Sequence, residues 1–126
     1  MFTHVMVGSN DVERSRRFYE AALGALGMKN LSQSAERAYF MKDGLGFGVG
    51  APLDGETASF GNGITIGFAA SDSEQVNAFH AAGVEHGGTD AGVPGPRPMG
   101  PSQAYGAYLR DPEGNKICAY SDMPTT

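Results

Sequence analysis

The chain has 126 residues, with nine Lys and Arg against 14 Asp and Glu, for a net charge of −5. That is room for one domain or two very small half-domains, and an acidic balance without any Lys/Arg cluster argues against nucleic acid and anionic membrane as partners. No apolar run approaches the ~20 residues of a membrane span, the N-terminus MFTHVMVG lacks the order of a secretory leader, and a single cysteine cannot staple the fold internally, so a soluble protein of the reducing cytoplasm is expected.

Phe2 to Val7 alternates as a strand, and Asn10 with Glu13 has the spacing of a capping box that opens a helix. Val12, Ser15, Phe18, Tyr19, Ala22, Leu23 and Leu26 fall at helical spacing, and the helix is expected to stop near Gly24 to Gly27. Arg14, Arg16 and Arg17 lie mostly off the apolar stripe and read as a solvated face. Three short strands follow, around Met28 to Leu31, Arg37 to Lys42 and Gly46 to Ala51, with Asp43-Gly44 turning the last two back on each other. Pro, Asp and Gly then interrupt the alternation, so residues 53–60 read as a connector.

After it the pattern starts again. Thr65 to Ala70 is a strand, Ser71 with Glu74 a second capping box, and Val76, Phe79, His80 and Ala82 a second helix. A slide of 61 positions lays Thr65 on His4, Asp72 on Asp11 and Phe79 on Phe18, while Phe40-Met41-Lys42-Asp43 matches Tyr108-Leu109-Arg110-Asp111 at an offset of 68. Two similar modules are implied, 1–52 and 61–122, each β-α-β-β-β. Phe18, Leu23, Phe79 and Ala82 are the helix residues expected against the sheets. His80 is placed on the second helix and His86 on a later strand, both as packing or surface residues. Gly87 to Gly100 holds too much Gly and Pro for a regular element and reads as a loop. Tyr105 to Tyr120 is strand, tight turn, strand, with Asp111-Pro112-Glu113-Gly114 at the turn.

FTHVMVGSNDVERSRRFYEAALGALG, GITIGFAASDSEQVNAFHAAG and YLRDPEGNKICAY together resemble the vicinal oxygen chelate superfamily of glyoxalases, bleomycin resistance proteins and extradiol dioxygenases. The resemblance implies an α+β fold of paired βαβββ modules, a curled mixed sheet with a central cleft, and a homodimer. It also implies a divalent metal held from the first and last strands of each module, positions that map to His4, Gly50, Thr65 and Cys118. Of these only His4 matches the family pattern. Gly50 has no side chain, Thr65 offers a neutral hydroxyl, and Cys118 could serve zinc only as thiolate. No cofactor is therefore expected, with a divalent metal kept as the alternative.

His4 reads either as a structural or ligand-contacting residue or as a catalytic one. Cys118 reads either as a buried small hydrophobe or as a thiolate activated by a neighbouring His. The two are the catalytic candidates. The candidate ligand-binding residues are His4, Thr65, Arg97, Met99, Tyr108 and Cys118. Arg97 and Met99 enter from the Pro-rich segment, which the family places beside the cleft, and Tyr108 by its parity with Cys118 across the turn. The expected function is binding of a small molecule in a cleft whose metal site has degenerated. The alternatives are a lyase or dioxygenase-type enzyme with an unconventional metal or Cys-dependent site, and a structural dimer with a filled, vestigial cleft.

Overall fold

The computed structural model describes residues 1–122, without the side chains of Ser32 and Gln33. The elements run β1 (His4–Gly8), α1 (Val12–Gly24), β2 (Lys29–Gln33), β3 (Arg37–Lys42), β4 (Leu45–Gly50), β5 (Ile66–Ala69), α2 (Ser73–Glu85), β6 (Thr89–Met99), β7 (Ser102–Arg110) and β8 (Lys116–Asp122). They form two separate four-stranded sheets, β1-β4-β3-β2 and β5-β8-β7-β6, so the second half repeats the first strand for strand. In each, the first strand runs parallel to the last and the other pairs are antiparallel. No helix among the described residues is long and apolar enough to cross a membrane.

Register fixes which residues of the two modules are equivalent. Val5 pairs with Phe47, which pairs with Phe40, and Ile66 pairs with Ile117, which pairs with Leu109. The first strands are thus 61 residues apart, as the sequence offset expects, but Phe40 corresponds to Leu109 at an offset of 69. The offset of 68 would match Phe40 to Tyr108, which lies on the opposite face. That offset matched the turn aspartates, but one turn has two residues (Lys42 pairs Leu45) and the other five (Arg110 pairs Lys116). Burial parity decides the equivalence, not the turn.

Both helices enter one residue later than the capping-box reading. The N-caps are Asp11, accepting from Arg14 N, and Asp72, accepting from Gln75 N. Asn10 is drawn instead into bonds with Glu113 and Ala58. The apolar faces of both helices meet in one core with the inward rows of both sheets, including Phe18, Tyr19, Leu23, Phe40, Phe47, Phe79, Leu109 and Ile117. Ala82 is half-buried, and Gly83 takes the fully packed place beside it. A Cβ on Gly83 would run into Leu109 Cδ1 and crowd Phe18 Cε1 at 3.2 Å, so a bare helix position is what lets α1 and β7 press onto α2. His86 is the C-cap of α2, not a strand residue, its ring Nδ1 2.8 Å from Ala82 O. His80 lies on α2 and reaches Asp90 on β6, 2.8 Å away; this bond, with one from Gly92 N, holds the Asp90 carboxyl below its usual range.

The modules are further joined by polar contacts. Tyr19 OH donates to the buried Asp111 carboxylate at 2.6 Å; burial and then that charge push the Tyr19 hydroxyl well above its usual pKa. Asp111 also accepts from Glu113 N, Asn115 N and Asn115 Nδ2. Glu113 in turn accepts from Asn10 N at 2.9 Å, Asn10 Nδ2 at 2.8 Å and Arg14 at 2.9 Å. Arg14 is therefore an ion-pair partner, and Arg16 bonds Glu13 and the carbonyls of Ser34 and Arg37. Only Arg17, with a 3.8 Å approach to Glu13, keeps the solvated role expected of all three.

The segment expected to be a loop is the longest strand, β6. A proline cannot donate to a ladder, but an edge strand is asked to donate on one side only. Pro96 and Pro98 pair with Tyr105 and Gln103 at alternate positions, where the ring nitrogens turn away from β7, and register irregularities between Asp90 and Gly95 absorb the remaining mismatch.

Candidate functional site

Each sheet has one face in the shared core and one face open. On the first module the open face carries His4, Met6, Tyr39, Gly46, Gly48 and Gly50, since His4 pairs with Gly46, Met6 with Gly48 and Tyr39 with Gly48. The glycines are covered by their neighbours. A Cβ on Gly46 would meet the Tyr39 hydroxyl, one on Gly48 the Met6 sulfur, and one on Gly50 would come within 2.7 Å of Arg37 Cγ and Glu36 O. A cavity of about 460 Å³ opens between this face and the connector, lined by residues including Gly8, Arg37, Gly50, Leu53 and Ala58. His4 is exposed, 2.9 Å from Thr3 Oγ1 through Nδ1 and 6.5 Å from the Tyr39 ring.

The second module's open face is chemically richer. Tyr108 and Cys118 are direct cross-strand partners, Gly67 pairs with Cys118 on its other side, and Tyr120 lies two residues further along β8. With Met99 and Ala104 they line a cavity of about 530 Å³. The Tyr108 and Tyr120 hydroxyls are 2.5 Å apart, with the rings edge-to-face. That hydrogen bond, then burial, pushes the Tyr108 hydroxyl up to about 12. Cys118 is 6% exposed, and burial pushes its thiol up to about 11 against the opposing pull of Lys116. It is a protonated thiol at neutral pH and not a nucleophile in waiting. The Arg97 guanidinium and Lys116 ammonium stand 5.9 Å and 5.1 Å from the Tyr108 ring centroid.

Met99, Tyr108 and Cys118 thus line one cavity, while Arg97 approaches the Tyr108 ring without lining it. His4 lines a different groove between β1 and β5, touched also by Gly67 and Ala69. Thr65 is an exposed residue just before β5. Tyr105 faces the other way and donates to Asn77. By register the first-module position equivalent to Cys118 is Gly48, not Gly50, which matches Tyr120. Lys116, Tyr120 and Arg110 were not singled out from sequence, although the alternation that puts Cys118 on this face puts all three there too.

Two four-stranded sheets built as repeated βαβββ modules, with open faces opposite a shared helical core, define the class. The chain matches the family model of the Glyoxalase/Bleomycin resistance protein/Dioxygenase superfamily over residues 1–119, and it belongs to that family. It is similar to the crystal structure of a glyoxalase/bleomycin resistance protein from Albidiferax ferrireducens T118, at 48% identity over 96% of this chain and 98% of that one, with a TM-score of 0.90. The fold is shared by a glyoxalase-related enzyme from Fulvimarina pelagi, at 18% identity over 97% and 88% of the two chains and a TM-score of 0.75. It is shared also by a lactoylglutathione lyase from Agrobacterium tumefaciens, at 17% identity over 96% and 92% and a TM-score of 0.65. No curated protein matches the chain.

Members of this superfamily often hold a divalent metal, and the donor set here does not fit one. Gly48 and Gly50 carry no side chain to donate, Thr65 is a neutral hydroxyl, and Cys118 is a protonated thiol in a different cavity from His4. Among the described residues no three His, Cys, Asp or Glu come together. A second copy that set its Cys118 beside this His4 would still supply only two donors, short of a stable site.

Proposed function

We propose that this protein binds and sequesters a small molecule in its cleft, on a family scaffold whose metal site has degenerated. The reading rests on the 530 Å³ cavity of the second module, where an apolar floor of Gly67, Met99 and Cys118 meets the hydroxyl pair of Tyr108 and Tyr120. A concave apolar surface with a few convergent polar groups is the general form of a ligand site. An enzyme that uses Cys118 as nucleophile fits less well, because a buried thiol with its pKa raised to about 11 carries almost no thiolate.

The working unit in this proposal is a homodimer. Each open face is half a cleft, and a second copy that sets its first module against this second module closes both. Met6 at 42% exposure and Ile64 at 59% give the apolar surface such a contact would cover. A thermal-shift screen against thiol conjugates, catechols and glycopeptide-like antibiotics tests the binding reading, since a ligand that prefers the native state raises Tm. Near-stoichiometric zinc, nickel, manganese or iron that survives dialysis would defeat it. Light scattering that reports a monomer across the micromolar range would remove the dimer.

A further inference from the structure

The charge of the second module is divided between its two faces. Residues 61–122 contain three Lys or Arg, namely Arg97, Arg110 and Lys116, and register sets all three on the open face: Arg97 is across from Ala104, Ala104 shares the parity of Tyr108 and Arg110, and Arg110 is across from Lys116. The acidic residues lie elsewhere. Asp72, Glu74 and Glu85 belong to α2 and its cap, and Asp90 bonds His80 on that helix. Asp111 and Glu113 are occupied by Tyr19, Asn10 and Arg14. Asp122 is the exception: it shares the open face, lines the cavity and stands in the cross-strand row of Ala104 and Arg97.

Arg110 is engaged by Gly114 O at 2.9 Å and by the Phe60 ring. Among the described residues neither Arg97 nor Lys116 takes part in an ion pair. The Arg97 guanidinium is held by the carbonyls of Val93 at 2.6 Å and Pro96 at 3.1 Å, which fixes its position and leaves N–H donors over. One of the Tyr108 and Tyr120 hydroxyls donates to the other, so the acceptor's own O–H remains to donate outward. Two cations outside any ion pair stand by the Tyr108 ring, whose hydroxyl pair lines the cavity, and an oxyanion between them and the spare phenolic donor would take charge-assisted bonds from each.

We infer that the second module's open face recognises an anionic arene, with a carboxylate or similar oxyanion set among Arg97, Lys116 and the Tyr108–Tyr120 hydroxyl pair and the ring body against Gly67, Met99 and Cys118. This deepens the cleft-binding reading and rests on it. In a protein of net charge −5 the same face attracts its ligand against the overall field, which makes binding sensitive to salt.

Calorimetric titration of the full chain with benzoate, 2-naphthoate and 4-biphenylcarboxylate, each beside its neutral alcohol counterpart, tests the inference. At least one carboxylate is expected to bind about tenfold tighter than its alcohol at low salt, and Arg97→Gln and Lys116→Gln each to remove most of that preference, with the alcohol's affinity falling less than the carboxylate's. Arg17→Gln, which changes net charge equally on exposed α1 surface, is expected to do nothing. Tyrosine ring NMR signals should move at Tyr108 and Tyr120. Equal binding of acid and alcohol, or shifts confined to Tyr39, overturns the anion site and leaves cleft binding standing. If no arene of either kind binds at millimolar concentration, the anionic-arene inference is overturned, and the cleft-binding reading stands or falls on the thermal-shift screen.

Discussion

The two modules share strand order, pairing sense and a helix capped by Asp at equivalent positions, yet their open faces have gone separate ways. On the first, the strand beside β1 offers Gly46, Gly48 and Gly50, and Tyr39 and Met6 lie down on the bare backbone. On the second, the same positions hold Lys116, Cys118 and Tyr120, and side chains stand up around a cavity. The turns diverge in the same way. Asp43 sits in a two-residue hairpin turn at φ 54°, followed by Gly44 at φ 80°, while Asp111 is 3% exposed and organises a five-residue turn that reaches across to α1. A backbone repeat therefore fixes the scaffold and leaves chemistry free to settle in one half.

Asp111→Ala is the sharpest way to break this comparison. It strips the acceptor from Tyr19 OH and from three donors in the turn, and a loss of about 4 kcal/mol is expected in urea unfolding. Tyr19→Phe, which removes one of those bonds, should cost about half as much. The paved face is next: Gly48→Ala puts a Cβ into the Met6 sulfur and crowds Tyr39, with an expected cost of about 2 kcal/mol. Its counterpart Cys118→Ala, which empties a little of a cavity that is already open, should cost about 1 kcal/mol. Equal costs at the two positions would mean that the faces are packed alike.

The Glu113 junction is expected to show in acid. Burial raises the Glu113 carboxyl, but its bonds with Asn10 and Arg14 outweigh that and leave it below its usual value. A depressed folded pKa gives stability that is fully present above the unfolded value of about 4.3 and is lost as pH falls through the folded one. Wild-type Tm should therefore fall below about pH 4.3, and Glu113→Gln should flatten that limb while lowering Tm at neutral pH. Asp43→Gly is the smallest expected change, within about 0.5 kcal/mol, because relief of a left-handed Asp is offset by a more flexible unfolded chain.

Much of this architecture is legible in the sequence, because helix and strand periods differ and the pattern occurs twice. What escaped did so for local reasons. Asn10 and Asp11, like Ser71 and Asp72, are adjacent residues equally able to cap; the tertiary bond from Asn10 to Glu113 settles the first pair, and propensity carries no trace of it. β6 was hidden because its Pro and Gly content is unsuitable for a central strand and harmless at an edge. Parity across the Asp111 turn reaches Tyr108 from Cys118, and carried one step further it reaches Lys116 and Tyr120. The separation of His4 from the Cys118 cavity depends on how two sheets share one core, which no period within a single module encodes.

The alternate prolines of β6 bear on how copies of this chain meet. A free sheet edge normally offers a row of N–H and C=O groups on which another strand can grow, the first step of open-ended aggregation. At Pro96 and Pro98 the outward N–H groups do not exist, so this rim accepts a neighbouring strand poorly. Strand addition at this rim is thereby disfavoured, and Pro96→Val with Pro98→Val, which restores both N–H groups, is expected to raise thioflavin-T-positive aggregation above that of the wild type.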